Sequence, residues 1–264
     1  SLKISEEIND KAGISRGLNN IGTIYYLQGH YTEALARYRQ SMQIDVERND
    51  KVGISKSLTN IGIIYALQGN NTEALQHYQK GLRINEEIGD KAGIANALNN
   101  IGGVHFSQGN YTEALEHFQK SLRINEESGN KFGSAHALNN IGETFRIHGN
   151  YPEALEYFQR GMRIREEISD RSGIATLLNN IGNVYELQGN KSEALELYQK
   201  GLKIFGEIGN KAGIITALTN IGVIHGSQGN YTQALQCSER AADLATQIGK
   251  LEALWEARTN AGKA

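Results

Sequence analysis

The side chains best placed to do chemistry in this sequence are carboxamides. Asn20, Asn60, Asn100, Asn140, Asn180 and Asn220 stand at equal intervals of 40 residues, and Asn260 continues the series. Each offers one acceptor and two donors, the complement of the C=O and N–H groups of an extended peptide backbone. A ladder of such amides could hold main chain without reading its sequence. At ~1 kcal/mol net per hydrogen bond, four engaged rungs would support micromolar recognition once side-chain pockets contribute. Mid-helix asparagine costs roughly half a kcal/mol against alanine, so the position is filled against its propensity. Its neighbours have diverged while it has not: Arg16 becomes Lys56, Asn96, His136, Thr176 and Thr216, and Thr23 becomes Ile63, Gly103, Glu143, Asn183 and Val223. A second reading stands beside the first. Each Asn could instead bond the neighbouring repeat and set the twist between repeats.

The preceding position is also polar throughout, as Asn19, Thr59, Asn99, Asn139, Asn179 and Thr219, and is expected nearer the rim. Side-chain discrimination would fall to the positions that vary. These are Arg16, Lys56 and His136 in one register, Tyr26, Phe106, Arg146 and Glu186 in another, and Glu143 and Asn183 in a third. The series is basic toward its N-terminal end and mixed further on.

Other chemistry finds no support. The seven histidines show no metal-ligand spacing. His105 and His225 fall at a packed aromatic position, where a core ring with a satisfied nitrogen is expected. Nothing resembles a nucleophile elbow or a phosphate loop, so neither catalysis nor a cofactor is expected. Glu86-Glu87 and Glu166-Glu167 recur late in one helix and read as a solvated face. The sequon-like triplets at Asn70, Asn110, Asn190 and Asn230 coincide with helix starts and read as caps.

What must position the amides is a repeat. Gly22, Gly62, Gly102, Gly142, Gly182, Gly222 and Gly262 keep the same 40-residue period without an insertion. Self-similarity at such a period marks a solenoid, in which each unit packs mainly on its neighbours. Residues 1–10 read as the end of a truncated repeat, 11–250 as six full repeats and 251–264 as the first helix of a truncated seventh. With 27 basic and 29 acidic residues the net charge is −2, so no field over the whole chain favours nucleic acid or an anionic membrane. A lone cysteine, Cys237, fits a reducing compartment, and no apolar run approaches a membrane span.

Punctuation within a repeat gives two helices. Gly89 is a helix stop and Asp90 an N-cap, so helix A runs from about Lys91 to Gln108. Gly109 ends it, and Asn110 with Glu113 has the spacing of a capping box for helix B, which runs to about Ser128. On a wheel of ~100° per residue, Leu18, Ile21, Gly22 and Tyr25 form the buried face of helix A, and Asn20 lies about 150° from its centre. Helix B buries Ala34, Leu35, Tyr38 and Met42.

This pattern resembles the tetratricopeptide repeat. Leu18, Ile21, Gly22 and Tyr25 match the family's first-helix motif, and Tyr31, Ala34, Tyr38 and Ser41 its second, along the whole chain. The period is 40 rather than about 34, and Glu86, Glu126 and Glu166 stand where the family's closing proline would be, as in the extended arrays of kinesin light chains and the Pins/LGN adaptors. The resemblance implies an all-α right-handed superhelical solenoid with helix A lining a concave groove. It implies a cytoplasmic protein-interaction scaffold whose ligand is a peptide or helical segment. The chaperone-tail clamp of some members is absent, because its lysine position carries Asn or Thr. Two alternatives remain open: head-to-tail self-assembly through the incomplete terminal repeats, and RNA binding by a helix-pair array.

Overall fold

The computed structural model describes residues 8–248. Twelve α-helices fill this span: α1 Lys11–Leu27, α2 Tyr31–Glu47, α3 Lys51–Leu67, α4 Asn71–Ile88, α5 Lys91–Ser107, α6 Tyr111–Glu127, α7 Lys131–Ile147, α8 Tyr151–Glu167, α9 Arg171–Leu187, α10 Lys191–Glu207, α11 Lys211–Ser227 and α12 Tyr231–Gln247. Odd-numbered helices are the A helices and even-numbered ones the B helices. Residues 1–7 and 249–264 lie outside the described span, and with them most of the expected first partial repeat, all of the last one, and the head-to-tail contact they would make.

Helix punctuation follows glycine. Gly89 ends α4 in the left-handed region at φ 71°, where L side chains are strained and glycine is not. Asn9, Asn49 and Ser169 hold the equivalent conformation at φ 53°, 56° and 55°. The A helices after the first are capped as expected, whereas Asp10 makes no side-chain cap bond to α1. Asp50, Asp90 and Asp170 accept from Gly53, Gly93 and Gly173 N–H at 2.9–3.0 Å, and Asn130 and Asn210 from Gly133 and Gly213 at 3.1 and 3.0 Å. The expected capping boxes of the B helices do not form. Asn70, Asn110, Asn150, Asn190 and Asn230 make no side-chain cap bond. Their ψ of 58–68° differs from the 84–89° at the side-chain-capped A starts, and the backbone serves the turn instead, as where Asn110 N–H donates to His105 C=O at 2.9 Å. Capping therefore does not account for the sequon-like triplets.

The chain divides into two compact units, Ser1–Asn140 and Ile141–Ala264. In the first, Gly22, Gly62 and Gly102 sit beneath aromatic rings of the B helices. A Cβ there would lie 2.7, 2.6 and 2.8 Å from ring carbons of Tyr38, Tyr78 and Phe118. Core clusters are shared between repeats: Ala34 and Tyr38 of α2 pack with Ile61 and Ile64 of α3, and Ala74 and Tyr78 of α4 with Ile101 and Val104 of α5. Burial of this kind, at roughly 1.5–3 kcal/mol per large apolar side chain, ties each repeat to the next.

The second unit repeats the scheme. Phe158 and Tyr198 cover Gly142 and Gly182 at 2.7 and 2.6 Å from a Cβ. Ala154 and Phe158 pack with Leu177 and Val184, and Ala194 and Tyr198 with Ile221 and Ile224. At Gly222 the covering ring is gone, Ser238 stands in its register, and the nearest atom to a Cβ would be Cys237 Cβ at 3.4 Å. No helix of the described residues is long and apolar enough to cross a membrane.

Candidate functional site

With one face of each A helix committed to its B helix and the next repeat, the opposite face is left open. In the first unit Arg16, Lys56, Asn96 and His136 are exposed on it, and Asn60, Asn100 and Asn140 are half-buried between them, with Asn20 exposed. The amides contact the repeat before them. Asn60 Nδ2 donates to Asn19 Oδ1 at 3.2 Å and Asn140 Nδ2 to Asn99 Oδ1 at 2.9 Å, while within α7 Asn139 Nδ2 donates to Asn140 Oδ1 at 3.4 Å. Asn19 Nδ2 in turn donates to Ser57 Oγ at 3.3 Å, and Asn99 Nδ2 lies 3.4 Å from His136 Nδ1. The asparagines thus join repeats, as the second of the two readings requires. They are not exhausted by it: Asn60 engages one N–H only, and Asn20 and Asn100 make no side-chain hydrogen bond among the described residues.

Two clefts open on this face. One, of about 370 Å³, lies between α1 and α3 over α2 and is lined by Arg16, Asn19, Ser41, Asp45, Arg48 and Lys56. The other, of about 280 Å³, lies between α5 and α7 over α6, with Ile63, Asn99, Asn125, Phe132 and His136 in its walls. Their floors are Asp45 and Asn125, each 2% exposed. Both stand opposite a glycine of the next A helix, where a Cβ would be 2.3 Å from Asp45 Oδ2 at Gly53 and from Asn125 Oδ1 at Gly133. Nothing in the type or spacing of these floor residues themselves marks them in the sequence. The signal was present in the recurring glycines at 53, 93 and 133, three residues into a helix where glycine is disfavoured. Asp45 accepts from Arg48 Nη1 at 3.1 Å, and Asp50 lies 3.5 Å from the same nitrogen.

In the second unit the face is built differently. Arg146 grips Glu143 through Nε and Nη2 at 2.8 and 2.5 Å. Tyr198 Oη bonds Asn183 Oδ1 and Glu186 Oε2, both at 2.7 Å, and Asn220 Nδ2 donates to Asn183 Oδ1 at 3.2 Å. Burial raises the Tyr198 pKa, and the adjacent Glu186 carboxylate raises it further, so the phenol stays a donor. Asn180 is half-buried. Asn179 departs from its series: it is 4% exposed and its Oδ1 has no partner among the described residues. Leu177 occupies a buried slot held elsewhere by Ser57, Ala97, Ala137 and Ala217, while Leu178 and Ile181 are left half-exposed and Asn179 turns in against Gly201. Asn179 therefore lies inside the helix contact rather than near a rim.

Tyr26 and Phe106 are half-buried and lean on the start of the following B helix, with ring centroids 6.3 Å from Tyr31 and 5.5 Å from Tyr111. His105 and His225 are half-buried at the expected aromatic position, but the Nδ1 of each has no partner among the described residues. The ring of His105 stacks at 5.4 Å on His117, whose own Nδ1 is 2.8 Å from Glu113 C=O. The late glutamates of the B helices pair outward, Glu47 with Lys11 at 2.9 Å and Glu87 with Lys51 at 2.5 Å, exposed pairs of small energetic weight.

Comparison with known proteins agrees with this architecture. A tetratricopeptide repeat model matches residues 13–87, 53–127, 93–167 and 133–207, and a second model of the same repeat matches 214–248. The chain belongs to the tetratricopeptide repeat family. No curated protein sequence matches it. Among solved structures, it is similar to the apo form of RapI, at 19% identity over 95% of this chain and 99% of that one, with a TM-score of 0.67. A Rap protein complexed with competence and sporulation factor is similar at 16% identity over 99% of this chain and 79% of that one, TM-score 0.71. A signal transduction ATPase from Pyrococcus horikoshii with a tetratricopeptide repeat sensor is similar at 18% identity over 94% of this chain and 37% of its own, TM-score 0.70. At these identities the likeness is one of fold.

Proposed function

We propose that this chain is a non-catalytic protein-interaction scaffold that captures a peptide or helical segment of a partner in a groove along its A helices, with asparagines bonding main chain and the varied positions reading side chains. The observation that carries this reading is hydrogen-bonding capacity left on the open face. Asn20 and Asn100 engage nothing among the described residues, and Asn60 and Asn220 each engage one N–H, keeping a carbonyl and a second N–H. Amides on a helical scaffold hold their aim, so little ordering is needed when main chain arrives. The Rap protein complexed with competence and sporulation factor supports the same reading by likeness of fold.

The test uses a partner captured by the intact chain from an extract of the source organism. Asn20→Ala, Asn60→Ala and Asn100→Ala together are expected to weaken its binding by roughly tenfold or more, two or three hydrogen bonds at ~1 kcal/mol each, with the helical circular dichroism unchanged. A folded triple variant that binds the partner as tightly as the parent would refute the groove reading. Asn60→Ala and Asn140→Ala, which break the bonds to Asn19 and Asn99, are expected to lower stability as well, whereas Asn20→Ala and Asn100→Ala are expected to weaken binding alone, which separates the two roles of the series.

A further inference from the structure

The first unit has two edges of opposite chemistry. Where B helices turn into the next A helix, charges close on one another, as Lys11 does on Glu47 and Lys51 on Glu87. Where A helices turn into B, the chain is uncharged: no Lys, Arg, Asp or Glu stands in residues 17–32, 57–72 or 92–112. Two large apolar side chains face solvent there in the same register. Leu27, the last residue of α1, is 75% exposed, and Leu67, the last of α3, is 56% exposed. Ser107 takes this place in the third repeat.

A single exposed leucine is ordinary on a protein surface. A leucine that recurs at the same place in the next repeat is not explained by packing, since neither one joins the core clusters around Tyr38 and Tyr78. Helix termination does not need it either, because Gly29 and Gly69 supply the turn at φ 79° and 75°. The second unit keeps the feature in its own first two repeats, with Ile147 40% and Leu187 52% exposed.

The first charge after each of these turns is a glutamate in the opening turn of the B helix: Glu33, Glu73 and Glu113. The helix dipole favours an acid at that end. None of the three carboxylates has an ion-pair or hydrogen-bond partner among the described residues, whereas Glu47 and Glu87 at the other edge are paired. An apolar row and a row of unneutralised acids therefore lie on either side of the same short turns. A second copy meeting this edge would set glutamate against glutamate, and an anionic bilayer would be repelled. The pattern suits a partner that is apolar along one stripe and basic along its border. A helix with leucine-like residues at i, i+3, i+4 and i+7 and Lys or Arg at the margin presents those two rows side by side.

We infer that this edge of the first unit is a docking surface for a basic amphipathic helix of a partner protein, with the apolar stripe over Leu27 and Leu67 and the cations on Glu33, Glu73 and Glu113. It is separate from the A-helix groove and uses none of the asparagines.

Fluorescence anisotropy with labelled synthetic helices tests it. The probe is an Ala/Gln peptide of about 18 residues, long enough to hold a helix, with Leu at helical spacing and Lys along one border of the stripe. It is compared with peptides in which Leu is replaced by Gln, or Lys by Gln. The intact chain is expected to bind the Leu/Lys probe and to lose roughly tenfold or more without Leu. Without Lys it should lose roughly three- to tenfold at low ionic strength, a loss that shrinks as salt is added. L27Q/L67Q should abolish the advantage of Leu, and E33Q/E73Q/E113Q that of Lys, while N20A/N60A/N100A binds the probe as the parent does. Circular dichroism monitors the fold, which substitution at these exposed positions is expected to leave intact. No binding, equal binding of the Lys and Gln probes, or a L27Q/L67Q variant that binds as tightly as the parent overturns the inference. So does light scattering that shows a dimer abolished by L27Q/L67Q, because a second copy then covers the edge. If N20A/N60A/N100A alone loses the probe, the helix sits in the groove, and this inference falls while the groove reading stands.

Discussion

Asp170 serves α9 twice: its Oδ1 accepts from Gly173 N–H at 2.9 Å, and its other oxygen pairs with Arg165, whose side chain is 8% exposed. Burial alone would raise its pKa, but the Gly173 N–H and the guanidinium outweigh that and hold the carboxyl below its usual range. A carboxylate depressed in the folded state contributes stability that is present above its unfolded pKa of ~4 and is lost as pH falls through the lower folded value. Asp170→Asn keeps a capping oxygen, as Asn130 and Asn210 do in their own repeats, and removes the charge. Chemical denaturation at neutral pH is expected to show a loss of about 1–3 kcal/mol, because the buried guanidinium no longer faces this carboxylate. The variant should also lack the part of the parent's decline below about pH 4 that this carboxylate produces. A variant as stable as the parent at neutral pH would show that the pair contributes nothing.

At the scale of the helix pair, one glycine sets how closely A and B approach. The ring carbons of Phe118 leave 2.8 Å for a Cβ at Gly102, whereas at Gly222, where Ser238 has replaced the ring, the nearest atom is at 3.4 Å. Gly102→Ala should therefore destabilise by about 1–3 kcal/mol through overpacking. Gly222→Ala should be neutral or stabilising by up to ~1 kcal/mol, since alanine has the better helix propensity. Thermal melting of the two variants side by side checks this, and a Gly102→Ala protein that melts with the parent would contradict the packing account. This rule was legible in the sequence, because Leu18, Ile21 and Gly22 share a face at helical spacing and recur in phase. The capping boxes were not. Asn110 and Glu113 have the right identities and spacing, yet the Asn110 side chain makes no cap bond, and its backbone N–H closes the turn on His105 C=O instead.

Within each unit of the array, repeats are joined by clusters such as Tyr38 with Ile61 and Tyr78 with Ile101 in the first and Tyr198 with Ile221 in the second, so stability is a sum of neighbour terms. Amide hydrogen exchange of the Gly102→Ala protein is accordingly expected to lose protection in α5, α6 and the adjoining α4, and to keep it in α1 and α2. Uniform loss across the first unit would instead indicate a single cooperative block. The period, the helix order and the open face could all be read from the chain, because each is written in local spacing and repeated. The clefts could not. Asp45 and Asn125 look like ordinary polar residues near a helix end, and only the approach of the next A helix, permitted by Gly53 and Gly133, turns them into floors. Asn179 shows the same limit from the other side: one large residue, Leu177, rotates a helix that its sequence would place in register.

The bond from Asn60 to Asn19 has a mechanical consequence. The two N–H groups of a carboxamide are coplanar and diverge by a fixed angle, so anchoring one on the preceding repeat leaves the other with a single direction. A rung tied in this way measures distance from the repeat before it, and its remaining donor moves when that repeat moves. Any main chain seated on such a rung would be held at a distance set by the repeat before it, and would resist the two repeats drawing apart, as a stitch across a seam resists its opening.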